Sequence, residues 1–251
     1  MAAYYNENNP FAVAWLRRLI EAGHIAKGEV DDRSIADVSA DDLRDFDQCH
    51  FFAGIGGWSY TLRLAGWPDG RPVWTGSCPC QPFSSVGKRA GFDDKRHLWP
   101  EWLRLIRERR PTAIFGEQSA KAAEWLRLVR GDMEALGYAV GAIPIEAASA
   151  GAHQLGDRFW FVASTDLAEL RRKPSAGQQP EHEQDTRTRP SYARRDYEWR
   201  RGADGKKRRV DAGIDLLAHG ISGRMGKLGG FGNAITPLPA KAFIEACTQS
   251  G

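Results

Sequence analysis

The chain has 251 residues, of which 42% are hydrophobic and 27% are charged, so it can bury a sizeable core. No apolar run approaches the ~20 residues of a membrane span, and the first residues, MAAYYNENNP, are polar where a secretory signal would be apolar. We therefore expect a cytoplasmic protein. The formal net charge of +3 does not identify a partner, because phosphate binding depends on clustered Lys and Arg.

Four cysteines are present, Cys49, Cys78, Cys80 and Cys247. A sparse set in a cytoplasmic chain predicts free thiols instead of disulfides. A zinc site would need ligands beyond Cys78 and Cys80, and the sequence has no second CxxC or HxxxH pair. We expect no metal site.

Residues 1–49 are predicted to form a helical layer. Asn9 and Pro10 are typical of an N-cap and a first helical position, and apolar residues follow at helical spacing. Ser39 and Asp42 show the same capping pattern for a second, short helix.

From residue 50 to 164, short apolar runs alternate with helical stretches: HFFAG, WSYTLRLAG, RPVWTG, LWPEWLRLIRERR, TAIFG, AKAAEWLRLVRGDMEALG and FWFVA. Strands that alternate with helices predict a parallel sheet with helices on both faces. We expect an α/β fold with a Rossmann-like core.

The stretch from Thr165 to Lys207 has no periodicity and is rich in Arg, Gln, Glu, Ser and Pro. It is predicted to be a mobile loop, a DNA-contacting insert, or both, within a region of residues 165–220. Residues 221–251 are expected to return to the core through the turn FGNAITP and a helix from Leu238 to Cys247.

Three short motifs could carry chemistry. In FAGIGG, from Phe52 to Gly57, glycines allow a tight turn and the helix start offers free amides to an anion, although such turns are also common without a ligand. In PCQPFS, two prolines flank Cys80 on a rigid loop, where it is either a reactive thiol or a structural one. Glu117 directly follows the strand TAIF, as a proton donor or as a helix-start carboxylate.

Taken in order, FAGIGG, GSCPCQPFS, GEQ, HQLGDRFWFVA and GNAITP resemble the motifs of the DNA cytosine-5 methyltransferase family. The resemblance runs from His50 to the C-terminus, and the whole chain resembles a compact subgroup found in phages and prophages. It implies a Rossmann-like methyltransferase core, a small irregular DNA target-recognition region at residues 165–220, and double-stranded DNA as the partner.

The resemblance also implies a role for each motif residue. Cys80 would attack C6 of a flipped-out cytosine, Glu117 would hydrogen-bond N3 and the exocyclic amine, and Arg158 would contact O2. Further substrate contacts would come from Gln81, Ser84 and Gln154. The cofactor S-adenosylmethionine would be bound by Phe52, Gly54, Gly56, Gly57 and Asn233.

The chain departs from the family pattern at three points. His50 replaces an acidic residue, and Gly156 replaces an arginine. Only about two dozen residues separate FAGIGG from PCQPFS, with Asp69 as their only carboxylate. The usual interval holds two more strands, one of which ends in an acidic residue that binds the cofactor ribose. The parallel sheet is therefore expected to be trimmed, and the cofactor pocket is either rebuilt, for example from the N-terminal layer, or impaired.

Three functions remain open from the sequence. The first is a monomeric, S-adenosylmethionine-dependent DNA cytosine-5 methyltransferase. The second is a DNA cytosine enzyme that uses the same Cys80 adduct without this cofactor, for hydroxymethylation or deamination. The third is a non-catalytic DNA-binding decoy, against which the joint presence of Cys80, Glu117 and Arg158 argues.

Overall fold

A computed structural model describes residues 2–79, 98–119, 122–146, 157–171, 197–201, 207–211 and 234–248. The strands are β1 (Ala2–Asn6), β2 (Gly28–Asp31), β3 (Phe46–Phe51), β4 (Val73–Gly76), β5 (Ala113–Ser119), β6 (Ala139–Glu146), β7 (Asp157–Ser164), β8 (Tyr197–Arg201) and β9 (Lys207–Asp211). The α-helices are α1 (Pro10–Glu21), α2 (Gly57–Leu64), α3 (Trp99–Arg109), α4 (Ala123–Ala135), α5 (Leu167–Leu170) and α6 (Pro237–Thr248). The chain divides into two compact units, Met1–Pro180 with Gly229–Gly251, and Glu181–Leu228.

The first unit contains a seven-stranded sheet in the order β2-β1-β3-β4-β5-β7-β6. The first five strands are parallel, and β7 runs antiparallel to both of its neighbours. Alternate strand residues pack against α3 and α4 on one face and against α1, α2 and α6 on the other. The expected Rossmann-like α/β class, with helices on both faces, is confirmed.

The N-terminal residues join the sheet, which differs from the helical layer that we expected. In β1, Tyr4 and Tyr5 are buried on opposite faces, as the two-residue period of a strand requires. The strand pairs in parallel with both β2 and β3. The sheet is therefore not trimmed, because β1 and β2 extend it beyond β3.

The two predicted N-terminal caps form with different outcomes. The side chain of Asn9 accepts hydrogen bonds from the backbone N–H groups of Phe11 and Ala12, and Pro10 begins α1 as expected. Ser39 and Asp42 exchange the two reciprocal hydrogen bonds of a capping box, at 3.3 and 2.9 Å. The element that follows them is a three-residue 3-10 helix, Asp41–Leu43, and not an α-helix.

Large aromatic side chains press against two glycines of the central strands. A Cβ atom at Gly116 would lie 2.1 Å from the ring of Phe161, and one at Gly76 would lie 2.6 Å from the ring of Trp102. Only glycine fits these positions without displacing a buried ring. The aromatic core thus requires glycine at the positions directly before Ser77 and Glu117.

The described part of the second unit is an antiparallel hairpin of β8 and β9, where the sequence indicated no regular structure. Its register pairs Arg200 with Arg208, and Arg201 with Lys207. In the first unit, α5 also lies within the stretch that was expected to be irregular. None of the described helices is long and apolar enough to cross a membrane.

His50 is buried in β3 between two polar side chains. Its Nδ1 atom is hydrogen-bonded to Thr75 Oγ1 at 2.8 Å, and its ring stacks on Tyr5 with centroids 4.9 Å apart. Within the described residues, Nε2 makes no hydrogen bond. Burial lowers the pKa of His50 from 6.5 to about 3, because the charged ring would lose its hydration.

We predict that this histidine makes stability depend on pH. Below pH ~6.5 the unfolded chain binds a proton that the folded protein excludes, so stability is lost by up to about 1.4 kcal/mol per pH unit as pH falls towards the folded pKa. Urea unfolding between pH 7 and 4 measures this slope. His50→Gln cannot titrate and should have a shallower slope, and equal slopes in the two proteins would contradict the assignment.

Candidate active site

One row of paired residues crosses five strands close to one edge of the sheet. Asn6, Phe51, Gly76, Gly116 and Phe161 are successive register partners from β1 to β7. The strands β1, β3 and β4 end at this row, so the next residue of each lies at the carboxyl edge. The strand β5 continues to Ser119, so Glu117 lies within this strand and not after it as expected. Open α/β sheets bind their ligands at this edge.

The residues at this edge are Glu7, Phe52, Ser77 and Glu117. The predicted acid Glu117 is only 7% exposed, and Arg158 of β7 brings its Nε atom within 3.0 Å of Glu117 Oε1. This ion pair is close but poorly aligned, since Oε1 makes no hydrogen bond among the described residues. The Ser77 hydroxyl lies near the carboxyl group and favours its ionised form.

The charge state of Glu117 is set by opposing effects. Burial raises its pKa, while the positive charge of Arg158 and the nearby Ser77 hydroxyl lower it. Burial prevails, so the pKa lies above the usual value for a glutamate. Such a carboxyl group can hold a proton nearer neutral pH, as a proton donor in a polar pocket requires.

The glycine turn after β3 has three residues in the left-handed region, Phe52 (φ 52°), Gly54 (φ 55°) and Gly56 (φ 85°). A positive φ is costly for phenylalanine, and such strain is concentrated at functional sites. At Gly54 a Cβ atom would meet nothing within 4 Å, so this residue borders open space. At Gly56 it would meet Ile25 at 3.2 Å and Leu16 at 3.3 Å. A side chain at position 56 would therefore point at Ile25 and α1, and not into open space.

A carboxylate that the sequence did not reveal lies beside this turn. Glu7 follows β1 directly, and its Oε2 atom accepts a hydrogen bond of 2.8 Å from the backbone N–H of Gly54. Its Oε1 atom accepts another from Asn9. The sequence did hold a signal for a strand, a carboxylate and a helix in succession, namely the apolar AYY run, Glu7 and the Asn9 cap. This signal stands before FAGIGG in the chain, and the family pattern has its acidic residue after that motif.

The residues after β4 precede the predicted nucleophile Cys80 and contact β5. Cys78 is buried, and its carbonyl oxygen accepts a hydrogen bond from the Gln118 side chain at 3.3 Å. Burial raises the pKa of the Cys78 thiol well above its usual value, so this cysteine is poorly suited to act as a thiolate. The described segment ends at Pro79, next to Cys80.

The C-terminal motif meets the glycine turn at a cavity of about 400 Å³. Gly56 and Gly57 line it on one side and Ala234 and Ile235 on the other. A Cβ atom at Gly57 would lie 2.7 Å from the side chain of Ile235, so the start of α2 is packed directly on this motif. Asn233, the predicted cofactor ligand, precedes this segment.

The structure brings part of the predicted site together. Phe52, Gly54, Glu117 and Arg158 lie at one edge of the sheet. The predicted residues outside the described ranges are Cys80, Gln81, Ser84, Gln154 and Asn233. In the described part of the chain, no group of three or more His, Cys, Asp and Glu side chains could hold a metal ion.

A family model described as C-5 cytosine-specific DNA methylase matches residues 68–208, which is more than half of the chain. The chain belongs to this family. It is 37% identical over 100 residues to the type II methyltransferase M.NgoMIV of Neisseria gonorrhoeae, covering 38% of this chain and 32% of that protein. It is 32% identical over 90 residues to M.HhaI of Haemophilus parahaemolyticus, covering 34% of this chain and 28% of that protein. The chain thus matches about a third of the length of these relatives.

Two solved structures show a more distant likeness. DNMT2 of Spodoptera frugiperda, in a mutant form, matches 66% of this chain and 43% of its own, with a TM-score of 0.45 and 12% identity. The Entamoeba histolytica methyltransferase EhMeth matches 71% of this chain and 57% of its own, with a TM-score of 0.43 and 13% identity. The family assignment rests on the sequence match alone.

We predict different costs for alanine at the two glycines of the turn. Gly54→Ala should cost about 1 kcal/mol of stability, from its positive φ alone. Gly56→Ala should cost about 2 kcal/mol or more, because the methyl group also presses on Ile25 and Leu16. Chemical unfolding measures both, with Gly70→Ala as the control, since a Cβ atom there meets nothing. A smaller loss for Gly56→Ala than for Gly54→Ala would contradict this packing.

Proposed function

We propose that the protein is an S-adenosylmethionine-dependent DNA cytosine-5 methyltransferase that methylates a flipped-out cytosine through a covalent Cys80 adduct. The observation that carries this proposal is the buried Glu117, paired with Arg158 at 3.0 Å, at the sheet edge where β4 ends shortly before the PCQPFS motif. A buried acid beside a guanidinium offers a hydrogen-bonding surface for a polar base. The family membership gives that surface its substrate class.

The proposed chemistry divides a difficult alkylation into steps that the side chains assist. The Cys80 thiolate forms a bond to C6 of cytosine while Glu117 hydrogen-bonds N3, so that electron density moves to C5. S-adenosylmethionine, when bound, supplies the electrophilic methyl group. After C5 is methylated, its proton leaves to a base and the thiolate is eliminated, which restores the aromatic ring. Arg158 orients the base and offsets negative charge on Glu117.

The residues around the turn fit the proposed cofactor. Gly54 borders open space, and α2 begins at Gly57, where the first N–H groups of a helix have no partner within the helix and suit a carboxylate. The interval after the turn lacks the two strands and the acidic residue that the family usually places there. In this structure two strands from earlier in the chain, β1 and β2, lie beside β3, and Glu7 directly follows β1. We infer that these earlier residues rebuild the pocket and that Glu7 accepts hydrogen bonds from the ribose hydroxyls.

Double-stranded DNA is the proposed partner of the second unit. The hairpin register there places Arg200 opposite Arg208 and Arg201 opposite Lys207. Like charges at opposite positions destabilise a two-stranded hairpin. This pairing therefore favours an anionic partner, for which a phosphate backbone is the ordinary ligand of clustered Arg and Lys.

Mass analysis of nucleosides tests the proposal directly. DNA is incubated with the full chain, with and without S-adenosylmethionine, and then digested. The proposal requires 5-methylcytosine that forms only when the cofactor is present. Hydroxymethylcytosine or uracil formed without it would replace the proposed reaction by the alternative one, and unchanged DNA in both samples would contradict catalysis.

We predict that Cys80→Ser abolishes 5-methylcytosine formation, since a serine hydroxyl is far less ionised than a thiol. Cys78→Ser is the matched control, because its buried thiol has a raised pKa and does not serve as the nucleophile. It should retain most of the turnover per folded molecule. Product counts per folded protein, corrected by the near-ultraviolet dichroism signal, make the comparison. Equal losses in both variants would refute the assignment of Cys80.

We also predict that Glu7→Gln weakens binding of S-adenosylhomocysteine about ten-fold, because a neutral amide is a poorer partner for ribose hydroxyls than a carboxylate. Titration calorimetry measures the affinity. Glu21→Gln, at the exposed end of α1, is the control and should bind as the parent protein does. Unchanged affinity in Glu7→Gln would confine Glu7 to its contact with Gly54.

A further inference from the structure

A buried glutamine joins β5 to the chain that leads to the predicted nucleophile. Backbone pairing between β4 and β5 ends at Gly76 and Gly116, while β5 continues to Ser119. Beyond these paired residues, the Nε2–H of Gln118 donates to the backbone carbonyl of Cys78 over 3.3 Å. A side-chain amide thus connects the two chains where their backbone pairing has ended.

The amide of Gln118 is oriented by a second hydrogen bond. Its Oε1 atom accepts a bond of 2.9 Å from the backbone N–H of Ser119, and an amide oxygen can only accept. The nitrogen is therefore the atom that faces Cys78, where it can only donate. The side chain is 1% exposed, so little water competes for either bond.

The residues that receive this bond are held from both faces of the sheet. The hydroxyl oxygen of Ser77 accepts a hydrogen bond of 3.0 Å from the indole Nε1–H of Trp58, on the α2 side. Cys78 is 5% exposed and packs into the core cluster on the α3 and α4 side. The alternation of a strand therefore continues past the end of β4. Because Gln118 also holds the carbonyl group, this segment has little freedom before Pro79.

Covalent geometry carries this position on to Cys80. The ring of Pro79 fixes its φ angle at about −65°, and a proline restricts the residue before it, here Cys78, to extended conformations. Cys80 is two residues beyond Cys78, and consecutive Cα atoms are about 3.8 Å apart. A displacement of the Cys78 carbonyl group is therefore transmitted to Cys80, because few backbone angles can absorb it.

The proposed acid stands next to this glutamine. Glu117 and Gln118 are consecutive residues of β5, so their side chains leave the strand on opposite faces. Glu117 is the acid proposed to bind the ring of the base, and Gln118 holds the chain that leads to the thiol. Both reacting groups must reach one cytosine at the same time, so their spacing affects the rate. Two adjacent residues of one strand set that spacing.

We propose that Gln118 is a positioning residue for Cys80, which sets the distance between the nucleophile and Glu117 through its hydrogen bond to the Cys78 carbonyl group. The role rests on the proposed function, in which Cys80 attacks the base that Glu117 binds. Gln118 acts through the backbone and takes no part in bond formation. Without its hydrogen bond, the segment before Cys80 loses a link to β5, and fewer bound molecules place the thiolate at C6.

Carbon-13 NMR of the full chain, labelled in its four cysteines, tests this role without any need for activity. The Cα and Cβ shifts of a cysteine report its backbone angles and its surroundings. Cys80→Ser identifies the signals of Cys80 by removing them, and Cys78→Ser does the same for Cys78. Gln118→Met has a side chain of similar length without a hydrogen-bond donor, and it should shift the signals of both cysteines.

Gln48→Met is the matched control. Gln48 is a glutamine of β3 that is also 1% exposed, and its Nε2–H donates to the backbone carbonyl of Pro68 over 3.0 Å. The same substitution removes the same kind of bond there, so it should shift the signals of the neighbouring Cys49 and leave those of Cys80 unchanged. Unshifted Cys80 signals in Gln118→Met, or an equal shift in Gln48→Met, would overturn the proposal.

Gln118→Asn is a second variant, which decides the question if the methionine variant does not fold. Its side chain keeps the amide but is shorter by one methylene group, so it draws the donor away from the Cys78 carbonyl group. The Cys80 signals should shift as in Gln118→Met. Cys80 signals identical to those of the parent protein in this variant would contradict the role.

Turnover supplies a further readout. In Gln118→Met, kcat should fall about ten-fold with KM for DNA unchanged, because the loss affects the attack and not the binding. Gln48→Met should keep the parent kcat per folded molecule. A parent protein that makes no 5-methylcytosine would contradict the proposed function, while the cysteine signals would still decide whether Gln118 positions Cys80. An active parent whose kcat is unaltered in Gln118→Met would contradict the positioning role alone.

Discussion

The site depends on one constraint, the shared register of the parallel strands. Asn6, Phe51, Gly76 and Gly116 stand side by side, so β1, β3 and β4 end at the same height, at which β5 continues into Glu117. Two of these positions accept only glycine, because Phe161 and Trp102 occupy the space of a side chain. A shift of one residue would turn a polar group at the edge into the hydrophobic layer. The aromatic core and the polar edge are therefore two results of the same pairing.

Much of this arrangement could be predicted from local sequence. The runs around β3, β4, β5 and β7 are short, apolar and separated by helical stretches, so their type and order follow from periodicity. The N-cap at Asn9 follows from residue chemistry alone. Strand β6 was not predicted, because it is an exposed edge strand with Gly141 and Pro144 and shows no alternation.

The parts of the site that escaped prediction depend on contacts between distant residues. Glu7 was missed because the family pattern has its acidic residue after the glycine turn in sequence. Glu7 lies 47 positions before Gly54, to which it is hydrogen-bonded. Ser77 was missed because its hydrogen-bond partner Trp58 lies 19 positions earlier, on α2. Neither pairing has a local signature. The place of Glu117 near the carboxyl edge could be predicted from the apolar run before it, although β5 continues beyond it to Ser119.

The order of strands along the chain bears on how the site forms during synthesis. All five parallel strands are complete by Ser119, whereas Arg158 belongs to the antiparallel pair that is made later. Domains fold from the N-terminus as the chain emerges. Until the antiparallel pair is made, β5 is the open edge of the sheet, and Glu117 has neither its register partner Trp160 nor the positive charge of Arg158. The addition of β6 and β7 then supplies the positive charge of Arg158, so the ion pair with Glu117 forms when the last two strands join the sheet.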